Sequence, residues 1–132
     1  MSTEFLMDDY CFACGKENEH GLKLAIVESD SGVEARIQPP LWTQGYEKVV
    51  HGGIISTILD EMAVWAAYKK GYKSVTAELN VRIKKTMSVN DTYIARSRVL
   101  SVRHGLIQAE SKIVNSDDEL IAFAYVKLMT ID

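Results

Sequence analysis

The chain has 132 residues, 47% of them hydrophobic and 25% charged, and its 15 Lys and Arg against 18 Asp and Glu leave a net charge of -3. That composition excludes intrinsic disorder, collagen-like repeats and coiled coil, and the length suits a single domain, residues 1–132, with one ordinary core. The charge balance gives no global attraction to nucleic acid or to acidic membranes.

Met1 to Tyr10 carries Glu4, Asp8 and Asp9 and no basic residue, so it lacks the start of a secretory signal. No stretch approaches the ~20 apolar residues of a bilayer span, and a cytoplasmic location is expected. Residues 1–21 read as an irregular arm broken by Gly15 and Gly21. The arm holds both cysteines, Cys11 and Cys14, as a CxxC pair. A structural zinc site needs four ligands, and only His20 lies nearby. Redox pairs of this spacing sit near βαβ units, and this one does not. The pair therefore reads first as a structural turn with small buried thiols. A metal site completed by another subunit and redox chemistry are the remaining readings, and no metal ligand is assigned.

Leu22 to Val27 and Val33 to Ile37 form a predicted β-hairpin across Asp30-Ser31-Gly32, ended by Pro39-Pro40. Leu41 to Val50 is a predicted loop containing Gly45. Gly53 to Lys70 has no proline and is apolar most of the way round, the pattern of a buried helix, and Gly71 marks its end. Four strands follow, over Val75 to Lys84, Thr92 to Val102, Leu106 to Val114 and Leu120 to Ile131, with a turn at His104-Gly105. A hairpin, one long helix and a run of consecutive strands imply an antiparallel sheet wrapped around a central helix, an α+β fold.

Two features interrupt this pattern. His51-Gly52-Gly53 directly precedes the helix, whose first N–H groups lack intrahelical partners and carry partial positive charge. Such an end suits a developing oxyanion. Asp60-Glu61 breaks the apolar helix, where acids are costly unless paired or wet. Asp60 lies seven residues past Gly53, on the same face but roughly 10 Å along the axis at ~1.5 Å per residue. One helix cannot serve a single carbonyl with both groups. If they cooperate, the aspartate comes from a second, two-fold-related subunit.

His51-Gly52-Gly53 with an acid at Asp60 resembles the active-site segment of hotdog-fold acyl-CoA thioesterases of the phenylacetate-pathway (PaaI-like) family, related to the 4-hydroxybenzoyl-CoA thioesterases. Val75-Thr76-Ala77-Glu78-Leu79-Asn80-Val81 is similar to that family's strand after the helix. Cys-Phe-Ala-Cys-Gly, Gly21-Leu22-Lys23-Leu24 and Gln44-Gly45 resemble one subgroup. The resemblance implies a hotdog fold in which Asp60 attacks the thioester or activates a water. It also implies that Gly52 donates its N–H to the thioester oxygen, that His51 shapes the loop, and that Thr76 positions the water. Many members carry Asn or Gln six residues before the His; here that place is Gly45, and adjacent Gln44 is the candidate for the contact. Glu61 is the fallback carboxylate.

Coenzyme A carries phosphates that Arg and Lys bind. Arg82, Lys84, Lys85 and Arg103 are the candidates for them, with Gly53, Tyr46 and Asn80 completing the substrate-binding set. Trp65, Tyr68 and Met62 read as core. The expectation is an acyl-CoA thioesterase with no cofactor beyond the coenzyme A of its substrate, acting as a homodimer or homotetramer. An acyl-CoA hydratase or dehydratase and a non-catalytic acyl-CoA-binding protein are the alternatives.

Overall fold

The computed structural model describes residues 8–131. Its elements are β1 (Val27–Ser29), β2 (Gly32–Ile37), a 3-10 turn (Leu41–Thr43), α1 (Gly52–Lys69), β3 (Ser74–Ile83), β4 (Tyr93–Arg103), β5 (Leu106–Asn115) and β6 (Leu120–Thr130). The strands form one antiparallel six-stranded sheet in the order β1-β2-β4-β5-β6-β3. The sheet packs around α1, as the hotdog expectation requires.

Alternation builds the sheet's inner face. Val33, Ala35 and Ile37 of β2 are buried, as are Ile107, Ala109 and Ile113 of β5 and Ala122, Ala124, Val126 and Leu128 of β6. Ile58, Leu59 and Met62 of α1 are fully buried against this face. Each such side chain contributes about 1.5–3 kcal/mol of burial free energy. The helix closes with Gly71 at φ 96°, where the Gly71 N–H donates to the Tyr68 carbonyl and the Tyr72 N–H to the Ala67 carbonyl. This left-handed cap satisfies the last carbonyls, and glycine takes it without a Cβ penalty.

The first strand differs from expectation. Pairing begins only at Val27, because the Leu22 and Leu24 N–H groups donate to the Phe12 and Ala13 carbonyls and Lys23 has φ 53°. Leu22 to Ile26 therefore belongs to the N-terminal arm, and Leu24 is buried beneath it. The arm from Asp8 to Gly21 has turns but no helix or strand. The last strand edge, β3, has no neighbour on its outer side among the described residues. No helix of the described residues is long and apolar enough to cross a membrane.

Candidate active site

His51 caps α1. Its backbone is extended, and its Nδ1 accepts a hydrogen bond from the Gly53 N–H at 2.9 Å. The Gly52 N–H, one position earlier, has no acceptor among the described residues. It is one of the orphan donors at the positive end of the helix dipole. A Cβ on Gly53 would approach His51 Nδ1 to 3.1 Å, so a side chain there would push the ring back by a few tenths of an ångström. A cavity of about 550 Å³ opens over this end, lined by Tyr46, His51, Gly52, Ile55, Ile83 and Thr86. Sequence reasoning identified Tyr46 and His51 but not Ile83 or Thr86, whose proximity comes from the fold.

Asp60 lies two turns further along α1, half-buried and facing β3. Its Oδ1 accepts a 2.6 Å hydrogen bond from Thr76 Oγ1. Burial pushes its pKa above the ordinary aspartate value; Glu61 pushes the same way, and the Thr76 hydrogen bond opposes both. Thr76 reaches Asp60 because of a β-bulge. The β3–β6 register shifts between Thr76 and Glu78. Thr76 opposes Leu128, while Leu79, Val81 and Ile83 oppose Val126, Ala124 and Ala122, all inward-facing partners. The extra residue at Ala77 keeps Thr76 on the helix side.

Glu61 turns the other way. Its Oε2 accepts from Trp65 Nε1 at 3.2 Å and lies 3.5 Å from Cys11 Sγ, under the N-terminal arm. Burial and the Glu61 carboxylate push the Cys14 thiol well above its usual range. Trp65 packs partly buried against the core and Met62 is buried, but Tyr68 is exposed at the helix end, stacked edge-on to Trp65. Tyr68 is therefore not core: it projects from the open side of a helix turn whose Ala66 and Ala67 are buried.

The remaining candidates scatter. Gln44 Oε1 accepts from the Lys48 N–H, closing the loop ahead of His51. Asn80 and Arg82 lie on the outer face of the sheet, opposite Tyr125 and Phe123. Lys85 is ion-paired with Glu119. Lys84 and Lys85 follow the end of β3 nearest Gly52, since Ile83 touches both the cavity and the Gly52 Cα side. Arg103 sits at the opposite end of the sheet, in register with Leu106, which pairs with Met129 and so with Val75. One chain therefore does not gather the basic residues. On the outer face, Arg96 and Arg98 are paired with Glu34 and Glu110 beside a second concavity of about 530 Å³.

Residues 47–122 match the family model of the thioesterase superfamily. The chain matches no curated protein sequence. Among solved structures it is similar to a thioesterase superfamily protein at 21% identity and TM-score 0.85, over 98% of this chain and 71% of that one. It is similar to a Streptococcus mutans protein bound to acetyl CoA at 18% identity and TM-score 0.76, over 82% and 88%. It is also similar to the E. coli PaaI protein of the phenylacetic acid degradation operon at 19% identity and TM-score 0.77, over 84% and 81%. These likenesses show a shared hotdog fold.

Proposed function

From the chain's membership of the thioesterase superfamily, we propose that this protein hydrolyses an acyl-CoA thioester to a free acid and coenzyme A. The observation that carries the reading is Asp60, a half-buried carboxylate in an otherwise apolar helix, held by Thr76 beside a free sheet edge. The similar S. mutans structure holds acetyl CoA, which supports a ligand of this class.

The site is completed by a second copy. Gly52 and Asp60 are eight residues apart, roughly 12 Å along the axis at ~1.5 Å per residue. The ten-residue edge β3 exposes Val75, Leu79 and Ile83, a template for pairing with its own kind. Antiparallel pairing of two β3 edges about a two-fold axis brings the Gly52 end of one helix towards the Asp60 end of the other. It also brings Lys84 of one chain towards the Arg103 end of its partner.

The thioester oxygen then accepts the Gly52 N–H of one copy, which stabilises the oxyanion as it forms. In the general-base route, Asp60 of the other copy takes a proton from water. The resulting hydroxide adds to the carbonyl carbon, and collapse of the tetrahedral adduct breaks the C–S bond and releases the coenzyme A thiolate. In the nucleophilic route, Asp60 adds instead, and the adduct breaks its C–S bond and expels the coenzyme A thiolate to leave a mixed anhydride. Water then cleaves that anhydride to the free acid and the Asp60 carboxylate. Burial makes Asp60 a stronger base than a solvated aspartate, which serves either route. His51 acts by capping, its Nδ1 accepting from the Gly53 N–H.

Free-thiol release from a panel of acyl-CoAs tests the proposal. Wild type releases thiol, and Asp60→Ala loses roughly 10²–10⁴-fold in rate, the usual contribution of a positioned acid–base group. No release by wild type on any acyl-CoA defeats the thioesterase reading and leaves an acyl-CoA binder, whereas undiminished release by Asp60→Ala defeats the residue assignment. Single turnover in ¹⁸O water tests the nucleophilic route: ¹⁸O enters the Asp60 carboxylate when water cleaves the anhydride at the Asp60 carbonyl, and the general-base route never places it there.

A further inference from the structure

The N-terminal arm and the helix bring three metal-binding groups together on the side of α1 away from Asp60. Cys11 Sγ, Cys14 Sγ and a Glu61 carboxylate oxygen all lie within 4.8 Å of one another. We infer that Cys11, Cys14 and Glu61 form a zinc-binding site that fastens the N-terminal arm to the central helix. The thioesterase reading assigns these three groups no part, so the inference stands or falls separately from it.

The spacing fits the ion. Tetrahedral zinc, with Zn–S near ~2.3 Å and Zn–O near ~2.0–2.2 Å, holds its donor atoms roughly 3.5–3.8 Å apart. Cys11 Sγ is already 3.5 Å from Glu61 Oε2. Only a small inward movement gathers the set.

The surroundings are organised as a metal clip requires. Within the Cys-x-x-Cys-Gly turn, the Ala13 N–H donates to Cys11 Sγ at 3.4 Å and the Gly15 N–H to the Cys11 carbonyl at 2.8 Å. A Cβ at Gly15 would lie 2.5 Å from the Asp9 oxygen and the Cys11 nitrogen, so this turn admits only glycine. On the helix side, Trp65 Nε1 holds Glu61 Oε2 at 3.2 Å, an outer contact of the kind that orients a metal-binding carboxylate.

Donor chemistry selects the metal. Two sulfurs exclude calcium and magnesium, which take oxygen ligands. A hard carboxylate oxygen argues against copper(I), which prefers sulfur alone. Zinc accepts both donor types, with water as the fourth ligand. The gain is structural in kind, since metal binding that needs the folded arm adds to folding free energy.

Full-length protein, reduced and stripped with chelator, is titrated with Co²⁺ as a spectroscopic probe and then with Zn²⁺. The expected result is about one metal per chain, with thiolate-to-cobalt charge-transfer bands that Zn²⁺ displaces, as a thiolate site predicts. Zn²⁺ raises the melting temperature of the stripped wild type. The charge-transfer bands disappear in Cys11→Ser/Cys14→Ser. Glu61→Gln keeps the bands and binds zinc roughly 10-fold or more weakly, and Trp65→Phe weakens it by about 10–100-fold, the usual range for an orienting contact. A reduced, folded wild type that takes up neither metal overturns the inference. So does equal uptake by the double-serine variant, or isolation as a Cys11–Cys14 disulfide that, once reduced, still binds no Co²⁺. Because the wild-type titration needs no substitution, a variant that fails to fold leaves the test intact.

Discussion

Asp60 and Glu61 are neighbours in sequence with opposite surroundings. An acid in an apolar helix is visible in the sequence, because a charge there needs a reason. Which of the two faces β3 and which the arm is not visible, because it depends on what covers each side of the helix. Asp60 meets Thr76, while Glu61 meets the arm and Trp65. Raising the Asp60 pKa has a stability consequence with a definite sign. The folded state holds the Asp60 proton more tightly than the unfolded chain, whose aspartates titrate near ~3.9. Its contribution is therefore fully present below that value and is lost as pH rises through the raised folded value. At neutral pH the ionised carboxylate costs stability. Asp60→Asn, which still offers Thr76 an acceptor, is expected to melt above wild type at pH 7 and to converge with it in acid. Melting scans from pH 4 to 8 check this, and a lower melting temperature for the variant at pH 7 would refute it. The acid limb of the wild-type pH–rate profile is likewise expected above the ordinary aspartate range.

At the level of elements, most of the chain could be read in advance. The helix, the glycine that ends it and the four following strands all come from local periodicity and turn residues. Two elements could not. Leu22 to Ile26 has the alternation of a strand, but its N–H groups are taken by the arm. The inward direction of Thr76 depends on the bulge at Ala77, a tertiary feature that simple alternation would place on the wrong face. The free edge β3 was legible only as a strand, since its position at the border of the sheet follows from pairing order. Leu79→Glu sets a charge on that edge at the middle of β3. Sedimentation is expected to shift from a dimer to a monomer with unchanged circular dichroism, and thiol release to fall in parallel. A variant that remains a fully active dimer would show that β3 is not the meeting edge.

Across the whole molecule, the sheet separates groups that sequence reasoning grouped together. Arg82, Lys84, Lys85 and Arg103 are all candidates for the phosphates of coenzyme A in the sequence, where they lie close together in the chain. Strand direction instead puts Lys84 and Lys85 at the Gly52 end and Arg103 at the other. Local partners also rank them. Lys85 is held by Glu119, and Lys84 has no ion-pair partner among the described residues. If phosphates of coenzyme A bind near this end, Lys84→Glu raises KM by about 10-fold with kcat little changed, a loss of ~1.4 kcal/mol of substrate binding. Lys85→Glu has the smaller effect. Steady-state kinetics at two ionic strengths test the ranking, and equal effects from both substitutions would contradict it.

The two borders of the sheet are unequal. One is the ten-residue β3; the other is β1, three residues long and led into by the irregular arm. A molecule with two long, receptive borders can add copies head to tail without limit, as a ribbon or fibre. Among the described residues only one border is long enough to recruit another chain, and joining it to its own counterpart would use it up. If two β3 edges pair as proposed, assembly through backbone pairing stops at a closed pair, and the short border guards the protein against open-ended polymerisation.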